Sequence, residues 1–191
     1  MDIKELIRTR RTIRKFKQEP IDRPVLTDLV EGARLAPSAA NIQPLHYLIV
    51  DDPDLLGGVF KTLSWAGYIA PKGNPQEGEK PVAYIIVLVD TDLNSSLDKY
   101  DSGAAVQNIM LEAWSMGIGT CWLGAIKRDE LRKTFKIPER YYIDTVVALG
   151  YPAEKSVFED EKGSIRYYKD EDGMMHVPKR RTRDIVHINR F

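Results

Sequence analysis

The longest apolar run in the chain is Val82 to Val89, eight residues rich in β-branched side chains. A run of that length without polar alternation predicts a strand covered on both faces. Shorter strand-like segments are His46 to Val50, Thr120 to Leu123 and Asp144 to Gly150. Helical spacing takes over elsewhere. Ile3, Leu6, Ile7 and Arg10 make a short amphipathic helix over 3–10, and Asp22 with Pro24 opens a second, on which Val25, Leu29, Ala33 and Ala36 form one stripe before Pro37 ends it. Pro53 to Ala70 is helical in pattern but broken by Gly57-Gly58, and Pro71 to Gly78 is a polar loop. Asp101 to Met116 is apolar around most of its circumference, which predicts a helix buried on nearly all sides. Arg128 to Phe135 is a short helix stopped by Pro138. Ser164 to Val177 reads as a hairpin turning at Asp170-Glu171-Asp172-Gly173, and Asp184 to Ile188 as a strand with no local partner. The sum is one α+β domain over 1–191, with helices on both sides of a sheet.

Composition narrows the possibilities. A length of 191 residues with 43% hydrophobic and 29% charged residues suits a folded globular chain. Twenty-eight basic residues balance twenty-eight acidic ones, which argues against nucleic acid or a membrane as a partner spread over the whole surface. A local basic patch for one anionic ligand remains open. The eight-residue run is far short of the ~20 that span a bilayer. Residues 1–6 alternate charged with apolar positions and show no secretory signal, so a cytoplasmic location is expected. A single cysteine, Cys121, excludes an intramolecular disulfide and a cysteine zinc cage.

No Rossmann glycine fingerprint, P-loop, nucleophile elbow or zincin motif is present, and His46, His176 and His187 are too dispersed to form a ligand pair. Ser96-x-x-Lys99 is a two-position match of the kind chance supplies. Cys121 has apolar neighbours, which favours an inert buried thiol over a nucleophile. Arg10, Arg11 and Arg14 with Thr12 are of more interest. Arg10 and Arg14 at i, i+4 on a helix end can converge, and guanidinium forks match phosphate oxygens in pairs. The same charges would also sit comfortably as a solvated face near a helix C-terminus. Lys179 to Arg183 is a second basic cluster with the same two readings. Ser38, Asn41 and Gln43 lie on a proline-framed loop and offer groups that read ribityl hydroxyls or a flavin edge, or that simply cap the loop.

Four segments in order carry a resemblance: Arg10-Arg11-Thr12-Ile13-Arg14, Ala36-Pro37-Ser38-Ala39-Ala40-Asn41-Ile42-Gln43-Pro44, Asp101 through Gln107-Asn108 to Ala113, and Gly117 through Cys121-Trp122-Leu123-Gly124. With the closing basic segment they resemble the FMN-dependent nitroreductase family. The resemblance implies an αβα sandwich with a mixed central sheet, built as an intertwined homodimer with FMN at the subunit interface. It assigns Arg10, Arg11, Thr12 and Arg14 to the FMN phosphate and ribityl chain, with Lys179 and Arg180 completing the phosphate site. Ser38, Asn41 and Gln43 would reach the flavin of the other subunit, and Trp122, Leu123 and Gly124 would lie along its ring. The strand at Ile185 to Ile188 would pair with the partner's sheet, and the 71–78 loop and 164–177 hairpin are expected to shape the substrate mouth. Where many relatives have an aromatic after Gln-Pro, this chain has Leu45-His46.

The activity so implied is transfer of two electrons from NADH or NADPH through FMN to a small-molecule acceptor, a nitroaromatic, a quinone or another conjugated compound. The cofactor does the chemistry, so no catalytic triad is expected. Alternatives are a specialised flavin enzyme acting on one metabolite or on FMN itself, a non-enzymatic FMN binder, and a purely structural dimer module.

Overall fold

The computed structural model describes residues 2–71, 73–93 and 96–191. Lys72, inside the expected polar loop at 71–78, lies outside the described residues. Four strands form the main sheet: β1 (Leu45–Val50), β2 (Ala83–Asp90), β3 (Gly119–Leu123) and β4 (Tyr141–Gly150), in the order β1-β2-β4-β3. All three ladders are antiparallel. The only parallel contact of the main sheet among the described residues is the isolated Thr12–Thr120 bridge at its edge, and the mixed sheet is a smaller second one. In that second sheet β7 (Met175–Lys179) pairs in parallel with β5 (Ser156–Asp160) and antiparallel with the two-residue β6 (Tyr168–Lys169).

β2 is buried along its whole length, as its unbroken apolar run demands. Ala83, Ile85 and Val87 face one core with α2 (Arg23–Arg34) and α4 (Asp98–Ser115). Tyr84, Ile86 and Leu88 face the other, with α3 (Pro53–Phe60) and α5 (Arg128–Phe135). The period of two along β2 thus divides the molecule into layers. On α4, Ala105, Val106, Ile109, Met110 and Ala113 are buried, while Ala104, Gln107, Leu111 and Trp114 on its other flank are half-buried. The expected burial on nearly all sides is therefore met on one flank in the single chain.

Three expectations change. Gly57-Gly58 does not break a helix: α3 is capped by Asp52, whose side chain accepts from Asp54 N at 3.0 Å, and runs through both glycines to Phe60. A Cβ on Gly58 would sit 3.1 Å from Thr134, so that glycine lets α3 approach α5. The hairpin turn at Asp170 to Gly173 forms, with Gly173 N donating to Asp170 O at 3.1 Å, but β7 finds its longer partner in β5 on the other side. The expected strand over Asp184 to Ile188 is absent. Residues Thr182–Asp184 make one 3₁₀ turn, and 185–191 are exposed without regular structure, with no strand pairing to them among the described residues.

Candidate functional site

The segment leaving α1 (Ile3–Thr9) lies directly on the ends of β3 and β4. Ile13 and Phe16 are fully buried there, and they fit because Gly119 and Gly150, paired across the ladder, carry no side chains. A Cβ on Gly119 would come within 2.9 Å of Ile13, and one on Gly150 within 2.8 Å of Phe16. Main-chain bonds complete the anchorage: Ile13 N donates to Thr120 O at 2.9 Å and Phe16 N to Glu79 O at 2.9 Å. Arg14 N donates to Glu154 Oε1 at 2.6 Å, and that carboxylate also pairs with Lys169 at 2.8 Å.

This course alters the expected relation of the arginines. α1 ends at Thr9, Arg10 takes an extended conformation at its C-cap, and the i, i+4 helical convergence of Arg10 with Arg14 is not formed. Arg10, Arg11, Thr12 and Arg14 are instead half-buried along the outer edge of β3. Among the described residues no carboxylate pairs with any of the three guanidinium groups. Arg11 lies over the Phe158 ring and Arg14 over the Tyr167 ring, each 4.9 Å from the centroid, and Arg11 also donates to Arg8 O and Arg10 O. Burial lowers the pKa of Arg10; burial and then the Arg10 charge lower that of Arg11. Nearby, the Thr120 hydroxyl is buried without a hydrogen-bond partner. Desolvated cations without acids, beside an unsatisfied hydroxyl, are groups that an oxyanion would complement.

Lys179 ends β7 and Arg180 follows it, both exposed. Phe158 stands opposite Val177 and Asp160 opposite Lys179, so Lys179 is one same-face step along the small sheet from the aromatic shelf under Arg11. Arg180 donates to Asp184 O at 3.4 Å. Lys179 thus stands on the sheet whose Phe158 carries Arg11. Across the small sheet, the 66–71 segment faces the hairpin over a 540 Å³ cavity lined by Ile69, Pro71, Tyr168 and Asp170, among others.

The 38–43 loop takes a different place. Ala40, Asn41 and Gln43 have φ of 48°, 57° and 54°, left-handed values that non-glycine residues rarely hold. The loop is fastened to α4 by Ala39 N donating to Asp101 Oδ1 at 3.0 Å, and closed by Gln43 N donating to Ser38 Oγ at 3.1 Å. Gln43 Nε2 also donates to Asn41 O at 3.3 Å, so the loop-capping reading is realised within one chain. Ser38 is half-buried, whereas Asn41 and Gln43 are exposed. Beneath them lies a 130 Å³ cavity lined by Ala33, Ser38, Gln43, Tyr47 and Asp101, among others. Asp101 Oδ2 is buried there without a partner, and burial pushes the Tyr47 phenol up to about 12. No hydrogen bond or ion pair among the described residues joins this loop to Arg10, Arg11, Thr12 or Arg14.

At the far end of β3, Trp122 is 44% exposed and its indole N–H donates to Thr145 Oγ1 at 2.5 Å, which donates on to Leu123 O at 2.7 Å. Leu123 buries its side chain in the core, so alternation along the strand leaves only its main chain for any ligand beside Trp122 and Gly124. Cys121 is buried in the same core and burial pushes its thiol up to about 11, so it is protonated at neutral pH and is no nucleophile.

The profile of the nitroreductase family matches residues 7–151, from the last turn of α1 through the main sheet. The chain belongs to the nitroreductase family. This makes it an oxidoreductase. A relative from Archaeoglobus fulgidus, provisionally named NADH dehydrogenase/NAD(P)H nitroreductase, is 34% identical over 161 residues, covering 81% of this chain and 87% of its own. A solved structure with the same provisional name from Parabacteroides distasonis superposes with a TM-score of 0.69 at 26% identity, covering 87% of this chain and 96% of its own. A provisionally named nitroreductase from Desulfovibrio desulfuricans, solved in complex with FMN, shares the fold with a TM-score of 0.74 at 22% identity, covering 100% of this chain and 98% of its own. The sequence motifs did not mark Glu154, Phe158 or Tyr167. Their roles depend on which segments the fold lays together, and a residue motif carries no trace of that.

Proposed function

We propose that this nitroreductase moves two electrons from NADH or NADPH, through FMN held at a homodimer interface, to nitroaromatics, quinones or similar conjugated acceptors. The observation that carries the reading is the set of half-buried guanidinium groups on Arg10, Arg11 and Arg14, the first two desolvated, with which no carboxylate among the described residues pairs. A phosphate dianion is the complement such a set lacks. Arg10, Arg11, Thr12 and Arg14 would hold the FMN phosphate and ribityl chain, with Lys179 and Arg180 closing the far side. Ser38, Asn41 and Gln43 of a second copy would reach the same flavin, a role supported by the lack, among the described residues, of any hydrogen bond from them to this chain's own arginines and by two of them being exposed.

FMN, when bound, supplies the hydride and electron chemistry. Residues of this chain orient it and tune it. The Leu123 and Gly124 main chain would offer N–H groups where negative charge develops, the logic of any oxyanion site. Trp122 would border the ring, its N–H committed to Thr145. The dinucleotide donor is supported by the name of the Archaeoglobus fulgidus relative.

The test is optical. Purified protein should be yellow or become so with FMN, and anaerobic NADH or NADPH should bleach the flavin band, which a nitroarene or quinone then restores. Protein that stays colourless after incubation with FMN refutes the reading, and a bound flavin that neither nucleotide bleaches reduces it to a binder.

A further inference from the structure

A 320 Å³ cavity opens beside the end of β3, lined by Lys99, Trp122, Gly124, Asp144 and Thr145. Asp144 reaches it because β4 is bulged. Thr145 lies opposite Val87 and Ile143 opposite Leu88, so Asp144 is the extra residue with no partner on β2. A bulge of this kind re-aims a side chain. Here it brings a carboxylate out of a strand whose neighbouring positions are core.

That carboxylate is fixed from behind. Ser102, 1% exposed on α4, donates its hydroxyl to Asp144 Oδ2 at 2.6 Å. Arg128 clamps the bulge by donating Nε to Ile143 O at 2.7 Å and Nη2 to Asp144 O at 3.0 Å. Asp144 Oδ1 accepts no hydrogen bond from any described residue. The wall beside it is Trp122, whose N–H is already used by Thr145, so the indole presents only ring surface. An aromatic face favours cations. The other charge on the rim, Lys99, is exposed on the first turn of α4 and carries a long, flexible stem that can turn its amine to water. Arg128 is committed to the carbonyls of Gly124, Ile143 and Asp144, so the fixed charge with an acceptor atom to offer in the pocket is the Asp144 carboxylate.

We infer that Asp144 is a specificity-determining residue of the acceptor pocket, selecting conjugated acceptors that carry a hydrogen-bond donor, above all a cationic amine. The inference rests on the oxidoreductase reading above. Asp144 takes no part in the redox step; it binds the acceptor's substituent while Trp122 covers the acceptor's ring.

The experiment compares kcat/KM of the FMN-loaded protein for 4-nitrobenzylamine, 4-nitrotoluene and 4-nitrobenzoate with a saturating nicotinamide donor. The wild type should prefer the amine over the toluene by about tenfold, the weight of one charge-assisted hydrogen bond. Asp144→Asn should erase most of that ratio through KM more than kcat, and Lys99→Met should raise it by removing a like charge. A wild-type preference for 4-nitrobenzoate, or an amine-to-toluene ratio unmoved by Asp144→Asn, overturns the assignment. If Asp144→Asn does not fold, Lys99→Met decides, because a ratio that falls or stays level there also overturns it. Reduction of all three compounds with flat selectivity refutes this inference alone, whereas reduction of none refutes the proposed function with it.

Discussion

Arg10 and Arg11 are held half out of water beside one another, with no acid among the described residues to offset the cost. Such an arrangement is tolerated when a ligand repays it, and it sets stability against binding. Replacing Arg10 by Ala should weaken FMN binding by about 1.5–3 kcal/mol, the range for hydrogen bonds to a charged group. The same change should raise the melting temperature of the FMN-free protein, because a desolvated charge is removed. Fluorescence titration and calorimetry read the two effects, and an unchanged affinity would return the arginines to the role of a wet surface. The identity of these residues was legible in the chain, since three arginines and a threonine within five positions are conspicuous. Their geometry was not. The helix that would have brought Arg10 over Arg14 stops at Thr9, and the extended path beyond it depends on two glycines more than a hundred residues away.

In the small sheet, His176 joins β7 to the elements around it. Its Nε2 is 2.9 Å from Asp170 Oδ2 in the hairpin turn, and its Nδ1 is 3.3 Å from Glu159 Oε2 on β5. The Tyr168 ring stacks on it at 4.8 Å and donates its hydroxyl to Glu159 Oε1 at 3.0 Å. The hydrogen bond to Asp170, and then that to Glu159, raise the His176 pKa above its ordinary value of about 6.5. Asp170 is lowered, chiefly by the same hydrogen bond. A raised histidine stabilises the fold fully below its unfolded value, and that contribution disappears as pH rises through the folded one. A depressed aspartate contributes above its unfolded value and fails as pH falls through the folded one. The hairpin should therefore be held best between those limits. Hydrogen exchange of the 168–179 amides, corrected for intrinsic rate, should quicken on going from pH 6 to pH 9, and His176→Gln should show no such step. Equal protection at both pH values in the unaltered protein would refute the coupling. The turn at Asp170 to Gly173 could be read from its residues, because turn chemistry is local. The parallel partner β5 could not, because pairing across a crossover leaves no short-range signal.

Apolar side chains are left uncovered at the surface of the single chain. Ile185, Val186 and Ile188 are exposed, Ile188 by 77%, and the exposed Phe191 ring stacks on His187 at 3.9 Å between centroids. Ile3 and Ile7 on α1 and Tyr100 on α4 are exposed as well. With the half-buried flank of α4, these form the surface that the proposed dimer would cover, the last segment reaching across to the second copy. Deleting residues 184–191 should shift sedimentation from dimer to monomer and weaken FMN binding in parallel. A full-length protein that sediments as a monomer with FMN bound would remove the intersubunit site.

What could be told from the order of residues alone was whatever is written at short range: the β2 run and its two covered faces, the span of α5, the turn of the hairpin, and the motifs that mark a nitroreductase. Periodicity, caps and breakers act within a few positions, so they survive in one dimension. The rest arose on folding. The seating of Ile13 and Phe16 on paired glycines, the stacking of Arg11 and Arg14 on aromatics of the small sheet, and the bulge that turns Asp144 into a cavity each join residues far apart in the chain. Such contacts are fixed by which backbones pack and in what register, and no local pattern encodes that choice.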